Sequence, residues 1–528
     1  MLRFRVFENG QAAKECALRN AYLIGSDSSA MRGDITFRNG EVQVQKRELG
    51  STSLALQQTL GDLGEMTVQT TLLPDREEPY LLSLEQARHR LMMLWAKLED
   101  WGMLDLDKAH PISRKVAECR RRFVEALCHQ KTDPAKADEL AKRCLVAAVD
   151  TSEELAMIHA ETLLNRRKAA GVLPRYALGC AATLDMPDDA LRATILSTFD
   201  YIYLPIPWKL LAVAEGEYRW EHMDNWVAWS AKHRLPVVAG PLVSFDHRVL
   251  PEWVYIWEHD YDAMRDVVYE HVERVVSRYK NQVRAWTAVS GLHANSQFNF
   301  TFDQLMDLTR MSTQLVKRVQ PASKCLIEVR QPFGEYYGRN QRSIPPITYA
   351  DLLVQGGIQF DAFILRLSMG QAAPGQYTRD LMQISNLIDQ FSVFGKPVHT
   401  IIAAPSEPVE EWMISTPDAT DVVDPNCGVW RKPWSPPVQA KWLGAMLRIA
   451  MSKPYVETVA WTELMDHPGA ELPLGGLIDE QMKPKKAFKA LVEFRKMLAD
   501  DKAIFNDFGG ANISGNGQDA PPLDKASD

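Results

Sequence analysis

Apolar residues recur along this chain with three different periods, and each change of period marks a change of architecture. In residues 1–78 they alternate in short stretches, the period-two signature of half-buried strands. Ile35 and Phe37 answer Val42 and Val44 across Asn39-Gly40, a dipeptide suited to the two positive φ angles of a type I′ turn, so 34–45 predicts a hairpin. Further strands are expected at 2–7, 21–25 and 66–72. Together they predict a small β-sandwich-like domain. Over 79–170 the period becomes helical. Leu84, Ala87, Leu91, Leu94, Trp95 and Leu98 form one apolar stripe, Val116, Cys119, Phe123 and Leu127 a second, and Leu140, Cys144, Ala147 and Ala148 a third, as on helices that bury one face. Ser83, with Gln86 three residues on, reads as an N-cap with a capping box.

From 171 to 502 short apolar runs alternate with helical stretches. The runs are 177–182, 201–205, 237–243, 285–289, 325–329, 362–367, 398–403 and 458–461. Eight such units in roughly 320 residues predict an α/β fold, a (β/α)8 TIM barrel whose strands point their C-terminal ends at a functional mouth. The clearest unit has Val272, Val275, Val276 and Tyr279 at helical spacing, a break at Asn281, and an apolar run at 283–289. Residues 503–528, rich in Gly, Asn, Asp and Pro, read as a disordered tail.

Bulk composition narrows the functional classes. At 528 residues, 46% hydrophobic and 24% charged, the chain reads as a soluble globular protein with a large core. Its net charge is −8, and no stripe of Lys and Arg with interleaved aromatics appears, which argues against a nucleic-acid partner. The basic group Arg114, Lys115 and Arg120 to Arg122 reads as a solvated helix face. No run of about 18 apolar residues suggests a membrane segment. The seven cysteines are odd in number, scattered and never in CxxC spacing. They suggest neither a disulfide framework nor a zinc site, and the expectation is a reduced, cytoplasmic protein. With no Gly-rich phosphate loop, HExxH or clustered His and Asp, no metal and no cofactor is expected.

The motifs on the strands resemble those of the family 10 glycoside hydrolases, the xylanase-like enzymes. Arg278, Tyr279, Lys280 and Trp286 match the family's RYKG helix end and the first residue of its WDVVNE strand. FDYIYLPIPWKL is similar to the second-strand motif, with Phe199 and Lys209 matching. VVAGPLVSFDHRVLPEWV is similar to the third, with Leu250, Pro251, Trp253 and Val254. VETVAWTEL resembles the eighth strand, with Trp461 at the sugar-stacking position. LGGLIDEQMKPKKAFKALVEF resembles the closing segment through Leu477, Asp479, Lys483, Pro484 and Ala487. The resemblance implies a sugar-binding barrel, a glycan or oligosaccharide partner, and contacts from Lys209, Trp461 and His293, and it leaves the β-rich domain of residues 1–78 open to a carbohydrate-binding-module role or to plain packing.

The chemistry departs from the resemblance. Retaining glycosidases use two carboxylates roughly 5–5.5 Å apart. The family's acid/base position falls on Gly291. Its nucleophile, in P-V-H-I-T-E-L-D, falls on Ile402 of KPVHTIIAAPSE, and a shift of one residue lands on Ile401 or Ala403. Supporting positions fall near Ile206, Pro207, Gly240, Glu328 and Ser368. Mouth positions nominate Glu328, Glu463, Asp246, His247, His293 and Asp466 as replacements, with Glu328 and Glu463 the fallback catalytic pair. The preferred alternative is that these carboxylates are ion-paired, with Arg330 and Arg366 nearby. His247 and His293 lack a third ligand at metal spacing. Three readings follow in order: a catalytically impaired family 10 relative that binds a glycan or serves as a scaffold, a hydrolase using displaced carboxylates, and a non-carbohydrate assembly subunit.

Overall fold

The computed structural model of the chain describes residues 1–500 apart from 175, 184, 372, 374, 410–425 and 468–469. The tail expected at 503–528 lies outside the described residues.

Two sheets form the N-terminal region. One runs Tyr80–Leu81, Leu2–Arg5, Glu41–Lys46, Gly33–Arg38; the other runs Val429–Trp430, Gly64–Gln69, Ser53–Thr59, Tyr22–Ile24, Ala30–Met31. Leu2, Phe4, Val42 and Val44 of the first meet Leu23, Leu54 and Leu56 of the second in one core, which makes the predicted sandwich. The hairpin turns at Asn39 and Gly40, with φ of 51° and 78°, and pairs Arg38 with Glu41. The sandwich is sewn to the barrel, because its edge strand Val429–Trp430 comes from residues between the seventh and eighth barrel strands. The seam needs glycine. A Cβ on Gly64 would lie 2.3 Å from the Val429 carbonyl oxygen and one on Gly428 would lie 2.3 Å from that of Glu65, both at positive φ.

Three helices follow, Leu82–Asp100, Pro111–His129 and Pro134–Ala169. The predicted cap at Ser83 is corrected: Leu81 is the N-cap, without a side-chain cap bond, and the Ser83 hydroxyl instead donates to Asp138 at 2.7 Å. Leu94 and Leu98 are buried, whereas Trp95 is 40% exposed and Leu127 is 39% exposed. One residue is about 100° of helix rotation, so Trp95 turns off the buried face set by Leu94.

The barrel closes through eight parallel strands in chain order: Leu178–Ala181, Tyr201–Pro205, Val237–Gly240, Ala285–Ser290, Lys324–Val329, Ala362–Ser368, Val398–Ala403 and Val456–Trp461. Every strand falls on a predicted apolar run. Side chains alternate along each strand. Tyr201, Tyr203, Ala285, Leu326, Ala362, Ile364, Ile401 and Ala460 fill the interior. Ile202, Trp286, Ile327, Phe363, Leu365, Ile402 and Trp461 pack outward against the helices. Among the described residues no helix is long and apolar enough to cross a membrane.

Buried ion pairs join the three regions. Arg90 of the first helix meets Asp380 at 2.9 and 2.5 Å. Glu153 of the third helix accepts from Trp430 and Arg431, both at 2.7 Å.

Candidate functional site

The mouth is built where strands three to eight end. Thr287 turns inward, its hydroxyl accepting from Tyr203 at 3.3 Å. The pairing of strands four and five then shifts register between Thr287 and Val289 and places Ser290 opposite Glu328. Gly291 follows with φ 66°, its N–H donating to the Glu328 carbonyl at 3.1 Å. A Cβ there would lie 3.0 Å from Arg330 Cδ in a left-handed backbone, so the position is unfavourable for any side chain. It follows the end of strand four and carries no proton donor.

Strand seven requires a correction. Ile402 is fully buried in the outer core against the helices, not directed into the mouth. Ile401 is the inward neighbour, and alternation sends Ala403 the same way. A strand reverses its side chains at every residue, so an alignment one residue out changes which side of the barrel is described. Neither inward residue is a carboxylate.

The mouth itself is a lattice of charges. Glu328, fully buried, accepts from Arg366 Nε at 2.5 Å, and the same guanidinium reaches Glu471 at 3.1 Å. Glu471 also pairs with Arg330, which in turn meets Asp246 at 3.0 Å. Arg248 holds Asp246 at 2.6 Å and lies 3.6 Å from Glu471. Burial raises the Glu471 carboxyl, but Arg330, Arg366 and Arg248 outweigh it and bring the pKa down to about 2. Asp246 shows the same contest between burial and its arginines, and is held well below the usual carboxylate range. A general acid needs its proton near neutral pH, normally through a raised pKa; Glu471 and Asp246 are tuned the other way. Sequence reading missed Glu471, since it lies on the loop after strand eight, where neither periodicity nor motif marks it. Arg330 and Arg366 were legible from strand position.

Other nominated residues separate. Glu463 accepts from His467, 3.2 Å away, and from the Glu471 N–H at 3.3 Å, so it braces the loop that carries Glu471. Among the described residues no hydrogen bond or ion pair joins Glu328 to Glu463. Asp466 pairs with Lys485 and accepts from the Gly476 N–H at 2.7 Å, pinning the same loop. His293 is fully buried, stacked on Tyr349, with Nε2 donating to the Arg330 carbonyl at 2.8 Å. Burial pushes its pKa down to about 4, so it is neutral at physiological pH. It orders the Arg330 backbone and presents no surface to a sugar. His247 lies beside Asp246 at 3.6 Å, part exposed.

Trp461 likewise does not form a stacking platform. It is 1% exposed, points outward from the barrel, donates to the Gly475 carbonyl at 2.8 Å and meets Trp442 edge-on. Lys209 is open to solvent on the short helix Trp208–Leu211, 2.8 Å from Glu252. Among the described residues no group of three His, Cys, Asp or Glu is placed to hold a metal ion. Among the described residues, Glu328 Oε2, Ser290 Oγ and Ser368 Oγ are buried without a hydrogen-bond partner. They can exchange hydrogen bonds with ligand hydroxyls.

The model of glycosyl hydrolase family 10 matches residues 192–308. That segment runs from the helix before strand two to the helix after strand four. Strand seven lies outside it. Among curated proteins the chain is similar to endo-1,4-beta-xylanase A of Xylanibacter ruminicola, 27% identical over 86 residues, which are 16% of this chain and 23% of that protein. It is also similar to endo-1,4-beta-xylanase 3 of Hypocrea jecorina, 31% identical over 83 residues, again 16% and 23%. The chain thus spans about a quarter of the length of these relatives. Similar solved structures include a GH10 protein from Paenibacillus barcinonensis (TM-score 0.47, 18% identity, covering 62% of this chain and 97% of that one) and xylanase 10B from Thermotoga maritima (TM-score 0.46, 15% identity, 64% and 98%).

Proposed function

We propose that this protein is a glycan-binding member of the xylanase-like barrels that has lost glycosidic-bond hydrolysis. One observation carries the reading: the inward positions where the two catalytic carboxylates would stand are Gly291 on one side and Ile401 and Ala403 on the other, while Asp246, Glu328 and Glu471 are all bound by arginine. Carboxylates in that state hold structure and orient hydroxyls; they do not donate protons or attack an anomeric carbon. The unpartnered Glu328 Oε2, Ser290 and Ser368 groups support a ligand rich in hydroxyls, and Lys209 at the rim is the exposed cation within reach of an extended glycan. The sandwich and the three helices act as a scaffold that braces the barrel. All seven cysteines are free, with Cys128 exposed, which supports a reducing, cytoplasmic setting.

A specific observation favours the hydrolase alternative. Glu463 is a mouth carboxylate without an arginine partner, and it has His467 beside it. Purified protein incubated with xylan and aryl β-xylosides is expected to show no turnover above buffer, while xylo-oligosaccharides bind saturably. Turnover that drops by a factor of roughly 10² to 10⁴ in Glu463→Gln, the usual effect of removing a catalytic group, would overturn the proposal in favour of a displaced carboxylate. No turnover and no binding would leave only the assembly-subunit reading.

A further inference from the structure

A second cleft lies away from the mouth, where the N-terminal sandwich, the helix Leu82–Asp100 and the helices after barrel strands five and six come together. Its volume is about 240 Å³, below the range of about 300–1,000 Å³ usual for drug-sized ligands, and junctions between domains are common places for such sites. A ligand of one ring fits; an oligosaccharide does not. None of the residues lining it is Asp, Glu, Lys or Arg. Its one histidine, His89, is pushed down to about 3 by burial and by neighbouring Arg90, so the wall is uncharged at physiological pH.

Three of the four carboxamides of that wall turn their donors to the protein. Gln69 uses its NH2 on His89 Nε2 at 2.8 Å. Gln383 uses its NH2 on the Thr67 carbonyl at 2.8 Å and on Asp380. The NH2 of Asn386 lies against Met93 Sδ at 2.8 Å. The three carboxamides thus have their donors engaged by the protein. The Asn386 Oδ1 acceptor is buried without a partner, and among the described residues the Oε1 atoms of Gln69 and Gln383 accept no hydrogen bond. Beside them stand the rings of Tyr22 and Phe333. Three carbonyl acceptors and an aromatic edge call for a ligand with several donors and an apolar face.

Charge excludes the other donor-rich class. An ammonium ion would be desolvated here without a carboxylate in the wall. An anion would meet carbonyl oxygens and no cation in the wall. A neutral molecule with hydroxyls satisfies all of these conditions.

We propose that this cleft binds one small neutral polyhydroxylated molecule, a single sugar ring or cyclic polyol, whose hydroxyls donate to the carbonyl oxygens of Asn386, Gln383 and Gln69. The site shares none of its lining residues with the mouth and stands independently of what the mouth binds. Its occupant touches the sandwich, the first helix and the barrel together.

Calorimetric and saturation-transfer titrations of the full chain with D-xylose, D-glucose and myo-inositol test the proposal, with D-glucosamine and D-glucuronate as charged counterparts. At least one neutral probe is expected to bind saturably, and its charged counterpart at least tenfold more weakly. Asn386→Leu should weaken that binding at least tenfold. Should that variant fold poorly by circular dichroism, Gln390→Trp, on a half-buried residue of the same wall, fills the cleft instead and should have the same effect. The proposal is overturned if no neutral probe saturates, if the charged probes bind equally well, or if binding survives in the cleft variants and is lost in the mouth variant Arg248→Ala.

Discussion

Three buried carboxylates at the seam between the sandwich, the helices and the barrel have both oxygens bonded, whereas Glu328 at the barrel mouth has only one. Glu335 accepts from Asn20, Arg379 and the Gly375 N–H. Asp380 accepts from Arg90 and from the N–H groups of Met382 and Gln383. Glu153 accepts from Trp430, Arg431 and the Leu381 N–H. Glu328, equally buried, has one oxygen on Arg366 and leaves the other without a partner, opposite a Ser290 hydroxyl that also has none. An unsatisfied buried polar group costs about 1–3 kcal/mol. The three seam carboxylates, bonded at both oxygens, serve assembly of the fold, and the open oxygen of Glu328 is a position that a ligand hydroxyl can complete.

The largest effect expected from this contrast is at the seam. Arg90→Ala leaves the Asp380 charge buried without its guanidinium, and should cost roughly 3–5 kcal/mol, the usual cost of removing one partner of a buried pair. Denaturant unfolding checks it; a loss under about 1 kcal/mol would mean the seam is not what holds the regions together.

A smaller effect, dependent on pH, belongs to the mouth. The Glu471 carboxyl is lowered from 4.5 to about 2 in the folded protein. A depressed carboxyl stabilises the fold fully above its unfolded value, and that contribution is lost as pH falls through the folded value. Between about pH 4.5 and 2 the wild type should therefore lose up to about 3 kcal/mol more than Glu471→Gln. Melting curves across that window decide it. Parallel curves for the two proteins would show that the arginines do not hold Glu471 ionised.

The smallest effect should come from Glu328→Gln. The amide still accepts from Arg366, which keeps Glu471, and the oxygen exchanged for NH2 has no bond to lose. A change of about 1 kcal/mol or less is expected at neutral pH, read from the same unfolding curves. A loss as large as that of Arg90→Ala would erase the distinction between the two networks.

Sequence patterns reported different things about the two regions. The eight apolar runs located the eight strands because a strand buried on both faces is apolar throughout, a local signal that needs no partner. Asn39-Gly40 located a turn for the same local reason. That no carboxylate stands at Ile401, Ile402 or Ala403 was also legible, since it is a matter of residue identity alone. The direction of Ile402 and Trp461 was not. An apolar strand residue reads alike whether it faces the barrel interior or the helices, and only the closed barrel assigned both to the outside.

By itself, then, the chain determined its strands and its helices, because these depend on periodicity. Tertiary structure decided which charges meet. Glu471 reaches Arg330 and Arg366 across 141 and 105 residues, and Asp380 reaches Arg90 across 290. No local pattern encodes contacts at such separations; they exist only once the barrel closes and the loop after strand eight folds back over it.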